Sequence, residues 1–238
     1  MALSKRLQTV ASLVTPGKTF ADIGTDHAFV PIELVKSGRC PKGLACDVRP
    51  GPLAGAKEHI RVSGLSDRIG TRLGDGLQAL LPGEADSLII TGMGGRLILG
   101  ILAGDWPVVL AAKELIIGAQ SDLPAVRKAL RLAGFRTADE RMLTEDGKTY
   151  VLMKCLPEDV TEMPPFTADI EGPYSRGDVY GPVLLARRDP ELFRYLAARE
   201  KVLEGILSAL PEEGASMRRA EVEAEKRVIR QLLEEDEP

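Results

Sequence analysis

Aromatic side chains make up only 4% of this 238-residue chain, and its three cysteines, Cys40, Cys46 and Cys155, form neither an even set nor a C-x-x-C pair. That usage argues against a disulfide framework and against a zinc or other metal site, which leaves buried free thiols. A membrane span is also missing. The longest apolar stretch, residues 97–112, is interrupted by Asp105 and Pro107 and falls short of the roughly 18 unbroken residues a spanning helix needs. Lys5 and Arg6 stand near the start, but Gln8, Thr9 and Ser12 follow and no small-residue cleavage site comes after them. No secretory signal is expected, and the chain is placed in the cytoplasm. The 24 glycines and 16 prolines are scattered instead of forming a block, which excludes collagen-like and linker-like chains.

What is present is the composition of a globular protein able to bury a core, 44% apolar and 28% charged. The formal net charge of −4 is unevenly spread. Residues 1–72 carry 11 Lys and Arg against 6 Asp and Glu, whereas residues 158–238 carry 11 against 19. The cations of the first third are Lys5, Arg6, Lys18, Lys36, Arg39, Lys42, Arg49, Lys57, Arg61, Arg68 and Arg72. They are candidates for facing phosphates, because counterion release rewards local clustering and not the total. Charge alone is served better by a solvated surface.

Leu3, Leu7, Val10 and Val14 recur at helical spacing before Pro16 and Gly17, so a short amphipathic helix precedes the first strand. From Thr19 onward, strand-like runs at 19–23, 43–47, 69–73, 86–91, 114–118 and 149–155 alternate with helical patterns at 28–37, 52–63, 97–102 and 123–133. This alternation predicts an α/β fold with a mainly parallel, doubly wound sheet that binds its ligand beyond the carboxyl ends of the strands. The sheet domain is expected to span residues 1–156. Past it, a connecting stretch punctuated by Pro157, Pro164, Pro165, Pro173, Gly177, Gly181 and Pro182 leads into two long helical segments. Asp189 and Pro190 stand at the start of the first segment. Leu192, Leu196, Leu203, Ile206 and Leu210 stripe that segment, and Val222, Val228, Ile229, Leu232 and Leu233 stripe the second, after a turn at Pro211–Gly214. The pattern predicts an antiparallel hairpin of coiled-coil type within a helical domain over 157–238.

The chemistry-bearing residues sit just after strands. The first strand runs into Asp22-Ile23-Gly24-Thr25-Asp26-His27-Ala28, with one glycine where a dinucleotide fingerprint has three. Gly24 permits a tight turn and close ligand approach. Asp26 would repel a pyrophosphate but suits a cation, as does Asp22. S-adenosylmethionine (SAM), with its sulfonium and α-ammonium, matches acidic groups round this turn. Asp47 ends the second strand about 20 residues on, where an acid accepts from ribose hydroxyls, and Val48 follows it. Gly74-Asp75-Gly76 follows the third strand. Its aspartate is a candidate acceptor for an adenine amine, although the Asp-Gly dipeptide alone reads as a plain turn. The fourth strand ends in Thr91-Gly92-Met93-Gly94-Gly95-Arg96. So bare a loop predicts that something comes close to the backbone, with Thr91, Gly92 and Met93 toward the donor and Gly94, Gly95 and Arg96 toward a substrate.

These motifs, with Leu73-Gly74-Asp75-Gly76-Leu77 and Glu145-Asp146-Gly147-Lys148-Thr149-Tyr150, resemble those of the bacterial SAM-dependent tRNA (adenine-N1)-methyltransferases that modify adenine 22. Gly181-Pro182-Val183-Leu184-Leu185 and the helical hairpin are similar to that family's C-terminal part. The resemblance implies a class I methyltransferase (Rossmann-like) fold, SAM as donor and tRNA as substrate. It carries Asp26, His27, Asp47, Asp75 and Gly94-Gly95 over to the donor pocket and target-base site. Two positions depart from the family. Gln120-Ser121-Asp122 stands where a Gln-Pro-Asn-like run is usual, and Asp47 stands where glutamate is usual.

Methylation at adenine N1 is an in-line attack by a ring lone pair, so positioning and a preorganised field should supply most of the rate, and no covalent enzyme nucleophile is needed. Asp26 is the candidate to accept from N6 of the target base or take up the proton it sheds, with His27 either polarising the same site or only orienting Asp26. Tyr150 and Phe29 are candidate stacking residues, although with so few aromatics core packing accounts for both better. Two other readings share the fold: a SAM-dependent methyltransferase for another substrate, and a non-catalytic RNA-binding protein.

Overall fold

The computed structural model describes residues 3–160, 173–210 and 216–235. Pro164, Pro165 and the expected turn at Pro211–Gly214 lie outside them. Helix α1 (Lys5–Leu13) begins at Ser4, whose side chain accepts from the Leu7 amide, and buries Val10, Ala11 and Leu13. Strands β1 (Phe20–Ile23), β2 (Gly43–Asp47), β3 (Ile69–Leu73), β4 (Ser87–Met93) and β5 (Glu114–Ala119) are parallel neighbours in the order β3-β2-β1-β4-β5. Between them run α2 (Phe29–Lys36), α3 (Pro50–Val62), α4 (Gly95–Gly104) and α5 (Trp106–Ala111), with α6 (Leu123–Leu132) after β5. Every residue of β1 and β5 is buried, as expected of central parallel strands covered on both faces.

The sheet continues through β7 (Lys148–Pro157), antiparallel to β5, to β6 (Phe135–Glu145) at the edge. This seven-stranded mixed sheet with flanking helices is the class I methyltransferase, Rossmann-like fold expected from the motifs. Strand β6 was not foreseen. Arg136, Asp139, Glu140, Arg141 and Glu145 break its apolar alternation, and such charges suit an edge strand that must not recruit another chain. The turn joining it to β7 has Asp146 at φ 49° and Gly147 at φ 73°, both left-handed, as a two-residue type I′ hairpin requires.

Because the chain crosses from β3 back to β4 beside β1, the strand order reverses between β1 and β4, and a crevice opens at their carboxyl ends. Their ends are level: Ile23 pairs with Cys46 on one side and Ile90 on the other. A register shift between Thr91 and Met93 bends β4 there, as β-bulges beside binding sites do.

By internal packing the chain forms two compact units, Met1–Val183 and Leu184–Pro238. The expected boundary after residue 156 lies inside the first of these units. The reason is local: α7 (Arg176–Tyr180) is tied to the sheet unit by Arg131, which pairs with Asp178 at 2.9 Å, and by Arg127, which donates to the Asp178 and Val179 carbonyls. Helix α8 (Pro182–Ala186) begins in the first unit and ends in the second, where α9 (Pro190–Ala209) follows, its N-cap Asp189 accepting from the Glu191 and Leu192 amides. Helix α10 (Ser216–Glu234) runs antiparallel to α9, since Glu204 pairs with Lys226 while Glu200, one turn earlier in α9, pairs with Arg230, one turn later in α10. Leu192, Leu196 and Leu203 bury against Val222, Ile229 and Leu232 between them.

Among the described residues no helix is long and apolar enough to cross a membrane, and no group of three or more His, Cys, Asp or Glu is placed to hold a metal ion. All three cysteines are free and buried. Burial pushes their thiols up to about 11 for Cys40 and about 12 for Cys46 and Cys155, so they stay protonated.

Candidate functional site

A cavity of about 550 Å³ opens at the carboxyl ends of β1, β2 and β4. Asp22, Gly24 and Asp26 line it from β1 and the turn that follows, Asp47, Val48 and Arg49 from β2, and Thr91, Gly92 and Met93 from β4. The turn after β1 is anchored by two bonds of 2.9 Å, from the Gly24 and Thr25 amides to the Cys46 carbonyl. Gly24 has φ 74°, and a Cβ there would sit 2.7 Å from Met93 Cε. His27 and Ala28 follow at φ 59° and 57°. Two successive non-glycine residues in the left-handed region store strain of the sort that collects at functional sites.

Asp22 is buried and lines the cavity. Burial lifts its carboxyl from the ordinary 3.8 to about 6, the Thr25 hydroxyl opposes the rise and the nearby Asp47 adds to it. Among the described residues Asp22 makes no ion pair, so at neutral pH the fold holds a desolvated anion facing an open cavity. A folded-state value above the unfolded one means that the folded protein keeps a proton the unfolded chain has lost. Asp22 therefore contributes full stability below about pH 4, and that contribution disappears as pH rises through about 6. Asp22→Asn is expected to remove this fall, worth on the order of 3 kcal/mol or less. Urea denaturation of both proteins at pH 5 and pH 7.5 checks it, and parallel curves at the two pH values would refute it.

Asp47 is buried, and its Oδ1 accepts from the Arg49 amide at 2.8 Å. Asp75 and Gly76 stand beside a smaller hollow of about 170 Å³ that shares Leu97 with the main cavity. Gly74 lines neither; a Cβ there would meet Ala79 Cβ at 2.8 Å. The glycines after β4 divide in role. Gly92, at φ 82°, is exposed, and the nearest atom to a Cβ placed on it would be 3.9 Å away. Gly94 and Gly95 are instead approached by Ser121 and Asp122 of the same chain, with the Ser121 carbonyl 2.6 Å from a Cβ on Gly95. The expected gap for an incoming purine is at that point filled by the loop after β5, whose Ser121 carbonyl also accepts from the Gly95 amide.

His27 does not line the cavity but stands beside it, its Nε2 3.3 Å from Asp26 Oδ1. Its ring belongs to a cluster with Phe29 and His59, with centroids 5.2–5.5 Å apart. Arg96 and Tyr150 lie outside the cavity wall too. Phe29, one of the two candidate stacking residues, does line the cavity, and Arg6 and Leu7 of α1, Val30, Leu97 and Gln120, which sequence reasoning did not place at the site, complete that wall. Only Gln120, just past the fifth strand, carried a positional signal.

The chain matches the family model described as a methyltransferase domain over residues 3–153. It belongs to that family. A tRNA (adenine(22)-N(1))-methyltransferase of Bacillus subtilis is 38% identical over 153 residues, 64% of this chain and 64% of the relative's own length. The solved structure of the B. subtilis m1A22 tRNA methyltransferase TrmK aligns with a TM-score of 0.79 and 30% identity, over 98% of this chain and 99% of that one. A Streptococcus pneumoniae protein solved in complex with S-adenosyl-L-methionine aligns with a TM-score of 0.80 and 28% identity, over 98% of this chain and all of that one. The resemblance drawn from the motifs is borne out by these relatives.

Proposed function

We propose that this methyltransferase-family chain uses SAM to methylate N1 of adenine 22 in tRNA. The observation that carries the reading is Asp22, a buried carboxylate that makes no ion pair among the described residues and lines a cavity of cofactor size. The residues fit the donor. A volume of about 550 Å³ lies within the roughly 300–1,000 Å³ of small-molecule sites, and Asp22, Asp26 and Asp47 supply the negative field a sulfonium and an ammonium require. When bound, SAM supplies a methyl group on a positively charged sulfur. Asp47 accepts from its ribose hydroxyls, Val48 and Leu97 flank the adenine, and Asp75 accepts from the adenine amine across the smaller hollow. Gly24, Thr91, Gly92 and Met93 hold the backbone close to the methionyl part.

Asp26 lies at the mouth with its side chain 81% exposed. It accepts from the target base's N6 amine and balances the charge that grows on the ring as N1 is methylated. His27 fixes the Asp26 carboxylate. The target must arrive unpaired or flipped, since N1 lies on the Watson–Crick edge. Phosphate contacts fall to the cations of the first third that the fold leaves available. Arg39 is bonded to the Val14 carbonyl and Arg72 to Glu84, which removes those two, whereas Arg61 makes only an exposed bridge to Glu58. Such a substrate places the enzyme in the cytoplasm. The helix pair reads as a coiled-coil hairpin.

Asp47→Ala is expected to weaken SAM binding by roughly 1–3 kcal/mol, the cost of unpaired hydroxyls; calorimetry showing unchanged affinity would remove Asp47 from the ribose site. Mass-spectrometric mapping of methyl groups after mixing the protein, SAM and unmodified tRNA tests the whole reading. A single N1-methyl on adenine 22 supports it. Methylation elsewhere, or none despite SAM binding, points to another substrate or to an RNA-binding protein on this fold.

A further inference from the structure

The turn that carries Asp26 is held from outside the cavity, by α3. His27 and Ala28 stand at φ 59° and 57°, a conformation that persists in non-glycine residues only where neighbouring groups impose it. Helix α2 does not impose it. In a helix each carbonyl accepts from the amide four residues on, and four residues past His27 stands Pro31, which has no N–H. The partner comes instead from α3, where His59 Nδ1 lies 3.0 Å from the His27 carbonyl oxygen and is that oxygen's only partner among the described residues. A carbonyl only accepts, so Nδ1 carries the proton. One turn earlier on the same face of α3, a Cβ placed on Gly55 would already touch His27, 3.4 Å from its Nδ1, and a longer side chain would displace the ring. That ring lies 5.2 Å from the His59 ring and has its Nε2 3.3 Å from Asp26 Oδ1.

We propose that His59 is a positioning residue for methyl transfer: from α3, across a face that Gly55 keeps bare, it fixes the His27 peptide and ring and so aims the Asp26 carboxylate. The inference rests on Asp26's meeting the target base. Neither His59 nor Gly55 lines the cavity, so whatever they do to the reaction passes through the turn. Asp26 needs that support because its side chain is 81% exposed. Nothing packed around it selects its direction, and a carboxylate free to swing is seldom in place when the base arrives.

Single-turnover methylation of tRNA by the full chain, with SAM affinity measured alongside, tests it. His59→Leu is expected to slow the chemical step roughly 10- to 100-fold, the scale of a misplacement of about 1 Å, with SAM affinity kept. His59→Asn should recover most of that rate, because its amide nitrogen reaches the place of Nδ1. Gly55→Leu should slow the step as well although leucine favours the helix, so loss of fold does not explain it. In an Asp26→Ala background His59→Leu should change nothing further, since it acts through the missing carboxylate. The chain has only two histidines, and long-range ¹⁵N–¹H spectra at pH 8 should show His59 protonated at Nδ1. A full rate in His59→Leu, an asparagine variant as slow as the leucine one, a further loss in the Asp26→Ala background, or a His59 protonated at Nε2 each overturns the proposal. So does a full rate in Asp26→Ala, with the methyltransferase reading left standing. A wild type that leaves adenine 22 unmethylated overturns that reading and the proposal together.

Discussion

Arg127→Leu is expected to destabilise the sheet-bearing unit by about 3–5 kcal/mol, the usual consequence of leaving a buried charge unpaired. Arg127 and Glu140 are 3% and 0% exposed, with Nε and Oε1 2.9 Å apart. The guanidinium also donates to the Asp178 and Val179 carbonyls at 3.1 Å, and Glu140 Oε2 accepts from the Val183 amide at 3.0 Å. Removing the arginine takes the cation from a buried carboxylate and a donor from two carbonyls at once. A Cβ on Gly181 would lie 2.7 Å from Glu140 Oε2, so the surrounding chain leaves little room to relax. Urea denaturation supplies the number, and a loss below about 1 kcal/mol would mean the pair is no more than a surface bridge. The double variant with Glu140→Leu is expected to recover much of the loss, since two well-packed apolar chains replace an ion pair without an orphaned charge. Neither residue lines the cavity, so SAM affinity of the folded fraction should be retained.

Asp26→Ala is expected to lower the rate of methyl transfer by roughly 10²- to 10⁴-fold, the range for removing a positioned proton acceptor. Stability should change little, because this side chain is exposed, while SAM affinity should fall modestly with the loss of one of the three carboxylates that line the cavity. Its position is set by the backbone, through the strained turn at His27 and Ala28 and by His59 Nδ1, 3.0 Å from the His27 carbonyl oxygen. Asp26→Asn keeps the shape and one acceptor but loses the charge, so it should fall between wild type and alanine. His27→Ala should cost less than Asp26→Ala if the histidine only orients the carboxylate. Single-turnover kinetics with saturating SAM read the chemical step directly, and a full rate in Asp26→Ala would remove the residue from the mechanism.

The strand–turn motifs were legible because their signals are local. Short buried strands read as apolar runs, and β1, β2, β3 and β5 lie within a residue of their expected limits. Of the eleven residues expected to hold the cofactor, Asp22, Gly24, Asp26, Asp47, Val48, Thr91, Gly92 and Met93 reach one cavity, and Asp75 and Gly76 reach the hollow beside it. Strand β6 escaped because its charges serve an edge and an ion pair with α6, not an apolar face. The glycine run after β4 overstated the opening, since packing against Ser121 and Asp122 demands bare backbone as surely as a ligand does.

By itself the sequence determined where the strands lie, which turns carry acids and glycines, and hence the class of ligand, because periodicity, turn chemistry and charge sign act over a few residues. Only the tertiary structure decided which of those turns share a cavity, that Asp22 is desolvated enough to titrate near 6, and that residues 140 positions apart meet where Glu145 holds the start of α1. Those facts depend on strand order and on burial, which follow from the packing of the whole chain and leave no mark in any short stretch of it.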